Sequence, residues 1–204
     1  MLDDSSSAQR GGLTHQAIED YLKTIYKLAQ EESPVSTSRL AEARQVKPAS
    51  VTGMIQRLDK LNLVDYQKHY GVTLTEAGEK IALEVLRHHR LLETYLIEAL
   101  GFSWDEVHEQ ADILEHVISE KLEERIAAVL NYPRFDPHGD PIPTKEGKMP
   151  TRETEMRNLT SAAVGSTVCV ARILHDEDAR TPTLLGRIGS RHGRRIAPAR
   201  TSPV

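Results

Sequence analysis

Cysteine is nearly absent. Cys169 is the only one in 204 residues, which excludes an intrachain disulfide and a cysteine-rich zinc site. Aromatic residues make up only 4%, so an apolar content of 39% must build its core from Leu, Ile, Val and Ala. No apolar run is long enough to span a bilayer, and no membrane partner is expected. The opening MLDDSSSAQRGG is polar and acidic and lacks the charged-then-apolar order of a secretory signal. Residues 1–13 therefore read as a disordered tail on a cytoplasmic protein. The chain also lacks HExxH, a triad-like order of nucleophile and base, and a Gly-rich phosphate loop. The expectation is a protein without enzymatic activity and without a small-molecule substrate.

The net charge of −4 argues weakly against a nucleic-acid partner, but its distribution argues for one. Residues 39–68 hold six Lys/Arg against three Asp/Glu. Residues 93–124 hold ten Asp/Glu against one Lys/Arg. The first stretch can approach phosphates. The second must repel itself or be neutralised by cations.

The apolar spacing of Ile18, Leu22, Ile25 and Ala29, with Tyr21 and Leu28 beside them, predicts a helix over 14–31 that Ser33-Pro34 ends. STSRLAEAR at 36–44 predicts a short second helix capped by Ser36. After the break Gln45-Val46-Lys47, Pro48 opens a third helix, whose stripe is Val51, Met54, Ile55, Leu58 and Leu61. Two short alternating runs, 63–68 and 72–74, flank His69-Tyr70-Gly71 and predict a hairpin. Thr75 caps a helix that Gly101 closes, and Ser103 restarts the chain as an acidic helix over 104–119, with a short helix near 120–130. The Pro- and Gly-rich YPRFDPHGDPIPTKEGKMP reads as loop and linker. Residues 159–175 read as β-like, and 180–204, rich in arginine, supports no stable element.

Helix, three-residue turn, helix and hairpin is the order of a winged helix-turn-helix. The helix that enters a major groove needs a short, polar, acid-free face. Here that face offers Lys47, Ser50, Thr52, Gly53 and Gln56. Arg39, Arg57, Lys60 and the wing residue Lys68 suit phosphate contacts. A three-helix structural domain with an ordinary solvated face fits the same pattern.

His108, Asp112, Glu115 and His116 project within roughly 100° of arc on the expected acidic helix. His89 and Glu93 are spaced i, i+4 and share a face. Histidines and carboxylates without a thiolate suit Mn²⁺ or Fe²⁺, and Zn²⁺ or Co²⁺ also bind such a set. An acidic solvated face with incidental histidines remains open at this point, as do a metalloenzyme and a winged-helix regulator sensing an organic ligand.

The segments IEDYLKTIY (18–26), VTGMIQRLDKLNLV (51–64), LTEAGEKIA (74–82), HHRLLETYL (88–96), VHEQADILEHVIS (107–119) and DPHGDPIP (136–143) resemble the DtxR/MntR metalloregulators, in order and over roughly residues 14–143. The resemblance implies a mainly α chain that binds palindromic operator DNA as a homodimer. Its parts would be a winged helix-turn-helix over 14–75, a helical metal-binding and dimerisation domain over 76–143, a linker over 144–158, and a partial or truncated SH3-like (FeoA-like) β module over 159–204. By position, it implies a primary metal site of Asp20, Asp112, Glu115 and His116. The ancillary site would be His89, Glu93 and His108, with His175 and Asp178 near the ligands that a C-terminal module adds.

Three departures shape the expectation. The iron-responsive branch has Met and Cys where this chain has Asp20 and Asp112, and hard oxygen ligands resemble the manganese-responsive branch. That branch has Glu one turn after the first Asp, where this chain has Lys23, and His108 is a feature of the iron-like branch. Mn²⁺ is therefore expected, with Fe²⁺ as the alternative and Zn²⁺, Co²⁺ or Cd²⁺ as substitutes. Finally, HGRRIAPARTSPV does not continue the FeoA-like pattern. Residues 180–204 are expected to be truncated, read in an altered frame, or disordered. The resemblance implies a repressor of metal-uptake and homeostasis genes, with metal tying Asp20 of the DNA-binding part to the dimer part.

Overall fold

A computed structural model describes residues 14–152, 156–163, 166 and 168–173, and the backbone of 195–196. The chain divides into two units, Met1–Val85 and Leu86–Val204. The expectations for residues 1–13, for most of 174–204, and for His175 and Asp178 fall outside the described residues.

In the first unit, α1 (His15–Ala29) starts at Thr14, whose hydroxyl oxygen accepts the Ala17 N–H. In α2 (Thr37–Ala43) the expected cap is in place, Ser36 Oγ accepting the Arg39 N–H at 3.2 Å. Arg44 ends α2, Gln45 takes a left-handed backbone (φ 52°), and Lys47 precedes α3 (Pro48–Lys60). β1 (Val64–Gln67) pairs antiparallel with β2 (Gly71–Leu74), from Val64↔Leu74 to Gln67↔Gly71. Val35 joins them by exchanging two 2.9 Å backbone hydrogen bonds with Val72. The core gathers Leu22, Ile25, Leu40, Val51, Ile55, Leu58, Val64 and Val72, the inward stripes of these elements. Leu61 departs from expectation. It ends α3 as the cap residue, past the buried stripe, and is 52% exposed.

Thr75 starts α4 (Glu76–Leu100) as expected. Its hydroxyl accepts the Gly78 N–H at 3.2 Å and donates to the Asn62 carbonyl at 2.8 Å. Gly78 then packs against the chain entering the hairpin, where a Cβ would stand 1.9 Å from the Leu63 carbonyl oxygen. A backbone atom cannot yield as a side chain can. Gly78→Ala is expected to destabilise the protein by about 2–3 kcal/mol in chemical denaturation. A loss below about 0.5 kcal/mol would mean that the helix and Leu63 are not held this close.

In the second unit, α4 closes at Gly101 (φ 74°), which satisfies the Ile97 carbonyl. α5 (Trp104–Leu114) and α6 (Glu120–Val129) follow. The acidic helix is therefore shorter than 104–119. Glu115 caps it, and His116 and Val117 lie in the turn beyond. β-branched Val117-Ile118 propagate a helix poorly, and Ser119 Oγ accepts the Leu122 N–H to start α6 instead. Leu91, Leu92, Ala111, Ile126, Ala127 and Ile142 form the core of this unit.

The loop after α6 is irregular, as its composition predicts, but it is packed rather than a free linker. Asp136, His138 and Ile142 are buried. Asp136 Oδ1 accepts the N–H groups of His138 (2.9 Å) and Asp140 (2.8 Å), folding the loop onto its own carboxylate. Among the described residues of 159–175, the β-like reading holds at β3 (Val168–Cys169), which pairs antiparallel with β4 (Arg195–Ile196). Leu159–Ser161 is instead a single 3₁₀ turn, closed by the Ser161 hydroxyl on the Asn158 carbonyl at 2.7 Å.

Candidate metal centre and nucleic-acid interface

One turn of α4 sets His89 and Glu93 on a common face, and one turn of α5 does the same for His108 and Asp112. Within the second unit these faces meet. His89 Nε2 lies 3.1 Å from Glu93 Oε1 and 3.1 Å from His108 Nδ1, which is itself 3.1 Å from Glu93 Oε1. The other ring nitrogen of His89, Nδ1, lies 2.6 Å from Glu115 Oε2 and 3.4 Å from Asp112 Oδ1. His116 Nε2 is 3.4 Å from Glu115 Oε1. The two ligand groups expected from the sequence thus adjoin through His89. Regular helix ends at Leu114, yet Glu115 is its αR cap residue and still points with Asp112 toward His89 Nδ1, while His116 lies in the turn beyond. Sequence periodicity could not show that turn.

His89, Glu93 and Glu115 are buried, His108 is partly exposed, and the Asp112 side chain is 48% exposed. Burial pushes the Glu93 carboxyl up, but the charge of His89 and hydrogen bonds from His108, His138 and His89 outweigh it. They hold it well below the usual carboxylate range. His89 offers a test of fit for a metal. A neutral imidazole carries one N–H, yet each nitrogen here faces a carboxylate. Two carboxylates beside one buried ring favour added positive charge there, whether a second proton or a cation. The donors are all carboxylate oxygen and imidazole nitrogen, and the single thiol, Cys169, is exposed on β3. This set fits Mn²⁺ or Fe²⁺.

The sequence reading missed two neighbours of Glu93. His138 Nδ1 lies 3.7 Å from Glu93 Oε2, and Asp136, Glu93 and His138 form a third cluster of possible ligand atoms, all buried. His138 also stacks edge-on against Trp104, with ring centroids 4.6 Å apart. Burial raises the Asp136 carboxyl to about 7, helped by Glu93 and Asp140 and opposed by His138 and Arg90. The one sequence signal for these two neighbours is the run Asp136-Pro137-His138-Gly139-Asp140-Pro141, which sets a histidine between two carboxylates among turn-forming residues.

Two arginines brace these elements. Arg87 pairs with Glu123 and donates to the Pro143 carbonyl at 2.8 Å, while Arg90 reaches the Pro141 carbonyl and lies 3.5 Å from Asp136 Oδ2. Asp20 lies on α1 in the first unit, where its Oδ2 accepts from Arg44 Nη2 at 3.0 Å.

The expected DNA-reading face stands on α3. Lys47, Ser50, Gln56, Arg57 and Lys60 are exposed, and partly exposed Thr52 donates to the Pro48 carbonyl at 3.1 Å. Lys68 is exposed where the hairpin turn begins. Arg39 is engaged by Glu31 (2.7 Å) and Glu32 (3.6 Å), so a phosphate would compete with two carboxylates for it.

Residues 13–72 match the family model described as iron dependent repressor, N-terminal DNA binding domain. Residues 75–144 match that for the iron dependent repressor metal binding and dimerisation domain. The iron-dependent repressor IdeR of Mycobacterium tuberculosis is 36% identical over 157 residues, covering 74% of this chain and 68% of the relative. The transcriptional regulator MntR of Oceanobacillus iheyensis is 37% identical over 120 residues, covering 59% of this chain and 81% of the relative. A solved manganese-dependent transcriptional repressor in complex with manganese superposes with a TM-score of 0.74 at 43% identity, covering 87% of this chain and 81% of that one. Both parts of the pattern, the winged helix and the imidazole–carboxylate helices, are thus matched in order, and the chain belongs to the DtxR/MntR family of metal-dependent transcriptional repressors.

Proposed function

We propose that this chain is a manganese-responsive repressor that binds operator DNA as a homodimer and controls genes of metal-ion uptake and homeostasis. The observation that carries the reading is buried His89, with a carboxylate against each ring nitrogen. Family membership sets the chain among transcriptional regulators rather than enzymes, and operator binding requires it to share the cytoplasm with its DNA. No helix among the described residues is long and apolar enough to cross a membrane.

Bound metal supplies positive charge and a fixed ligand geometry, with no chemical step. Asp112, Glu115 and His116 would hold one ion together with Asp20, the last on the resemblance alone. His89, Glu93 and His108 would hold a second. Asp136 and His138, which lie beside Glu93, extend that set. His175 and Asp178 keep the ancillary role that the resemblance implies. Because Asp20 belongs to the DNA-binding part, coordination restricts how two recognition helices are spaced over consecutive major grooves. Lys47, Ser50, Thr52 and Gln56 then face base edges, and Arg39, Arg57, Lys60 and Lys68 face phosphates.

Hard oxygens at positions 20 and 112, and the similarity to a manganese-dependent repressor, favour Mn²⁺. Similarity to an iron-dependent repressor supports Fe²⁺ as the alternative, and Zn²⁺, Co²⁺ or Cd²⁺ would substitute. Chelator-treated protein can be titrated anaerobically on a duplex selected from a random pool. Either ion is expected to tighten binding at least about tenfold, with half-saturation at lower Mn²⁺ than Fe²⁺. Affinity indifferent to both ions would overturn metal control, and half-saturation at lower Fe²⁺ would make the chain iron-responsive.

A further inference from the structure

Asp20 is not an isolated carboxylate awaiting a ligand. Within the first unit, Arg44 Nη2 donates to its Oδ2 at 3.0 Å. The pair is substantially sheltered, with side-chain exposures of 27% for Arg44 and 22% for Asp20. The guanidinium also lies over the Tyr21 ring, 5.1 Å from its centroid. Its Nε is buried without a hydrogen-bond partner among the described residues. Arg44 is therefore held here by its ion pair and its stacking while one donor goes unsatisfied. Its backbone is equally constrained. It caps α2 immediately before the left-handed Gln45, in the turn leading to α3.

We propose that Arg44 is a built-in competitor for the Asp20 carboxylate, which raises the metal concentration at which the primary site fills. The inference rests on the reading of Asp20 as a ligand. A carboxylate paired with a guanidinium attracts a divalent ion less than a free one, because the pair is neutral and the fixed positive charge repels the ion. Whether Arg44 is displaced or stays on Oδ2 while Oδ1 coordinates, the charge opposes binding. Arg44 acts through Asp20 and is a positioning residue that sets a threshold.

The test is Mn²⁺ binding to the full chain, with free Mn²⁺ counted by its electron paramagnetic resonance signal. Arg44→Gln and Arg44→Met, the latter keeping an apolar stem over Tyr21, are each expected to bind Mn²⁺ about tenfold more tightly at the primary site. Arg44→Lys, which restores the charge, should return affinity toward that of the native chain. A merely structural role would not produce this rescue by charge. Asp20→Asn is the control for the underlying reading and should weaken Mn²⁺ binding sharply. If Asp20→Asn leaves Mn²⁺ affinity unchanged, the ligand reading falls and this inference with it. If Asp20→Asn weakens binding while both neutral variants at Arg44 bind Mn²⁺ no more tightly than the native chain, only the role of Arg44 is overturned.

Discussion

Glu115→Gln is expected to abolish the Mn²⁺ response of operator binding while leaving the fold in place. Glu115 is buried, with Oε2 at 2.6 Å from His89 Nδ1 and Oε1 at 3.4 Å from His116 Nε2. It is the side chain through which the end of α5 meets α4. Glutamine keeps its shape but replaces an anionic oxygen by an amide nitrogen that cannot coordinate and a carbonyl that does so weakly. Since changing even an outer partner of a metal ligand typically costs 10–100-fold in affinity, loss of this carboxylate should weaken Mn²⁺ binding by at least about 100-fold. Without metal, the variant exchanges a charge-assisted hydrogen bond for the relief of burying one less charge. Stability should then change by no more than about 2 kcal/mol. Calorimetric Mn²⁺ titration, operator anisotropy with and without Mn²⁺, and thermal unfolding check the three parts. A variant that still tightens on its operator with native Mn²⁺ dependence would remove Glu115 from the ligand set.

The DNA-binding half was legible in the sequence because its signals are local. The stripe Leu22–Ile25 on α1, the Ser36 cap, Pro48 at the start of α3 and the runs around Gly71 each act within a few residues, and all are found in the structure. Gly71 shows why the turn is placed where it is. Its backbone is in a glycine conformation (φ 130°), and a Cβ would meet the Val35 carbonyl oxygen at 2.6 Å. The metal-binding half was legible in its residue types but not in its geometry. A helical wheel drawn through residue 116 treats Glu115 and His116 as helix residues, whereas Ser119 competes for the chain and α5 stops at Leu114. Asp136 and His138 escaped because loops have no period, and the approach of His138 to Glu93 joins residues 45 positions apart. Arg44 escaped for another reason. One arginine at the end of a seven-residue helix reads as surface, and only coordinates reveal its hold on Asp20.

Val117→Asp is expected to leave the protein monomeric and to cost it operator affinity. The end of α5, the turn after it and the start of α6 expose Ile113, Leu114, Val117 and Leu122 within ten residues, and Val117 is 74% exposed. Such a run is costly in water and marks a covered face. In the dimer proposed above, the partner subunit is expected to cover it, and a stable interface needs about 800 Å² from each side. The substitution puts a carboxylate on that face, in a stretch that already holds ten acids against one base, so each copy would repel the other. Operator binding by two linked reading heads gains from effective concentration, and separate monomers forfeit it. The expected loss is at least about 100-fold in affinity for a two-half-site duplex, with a much smaller loss on a single half-site. Analytical ultracentrifugation reads the oligomeric state directly. Retained Mn²⁺ binding would show that the ligands of the second unit are intact, separating lost pairing from lost fold. A variant that sediments as the native chain does, or binds the full operator equally well, would move the dimer contact away from this face.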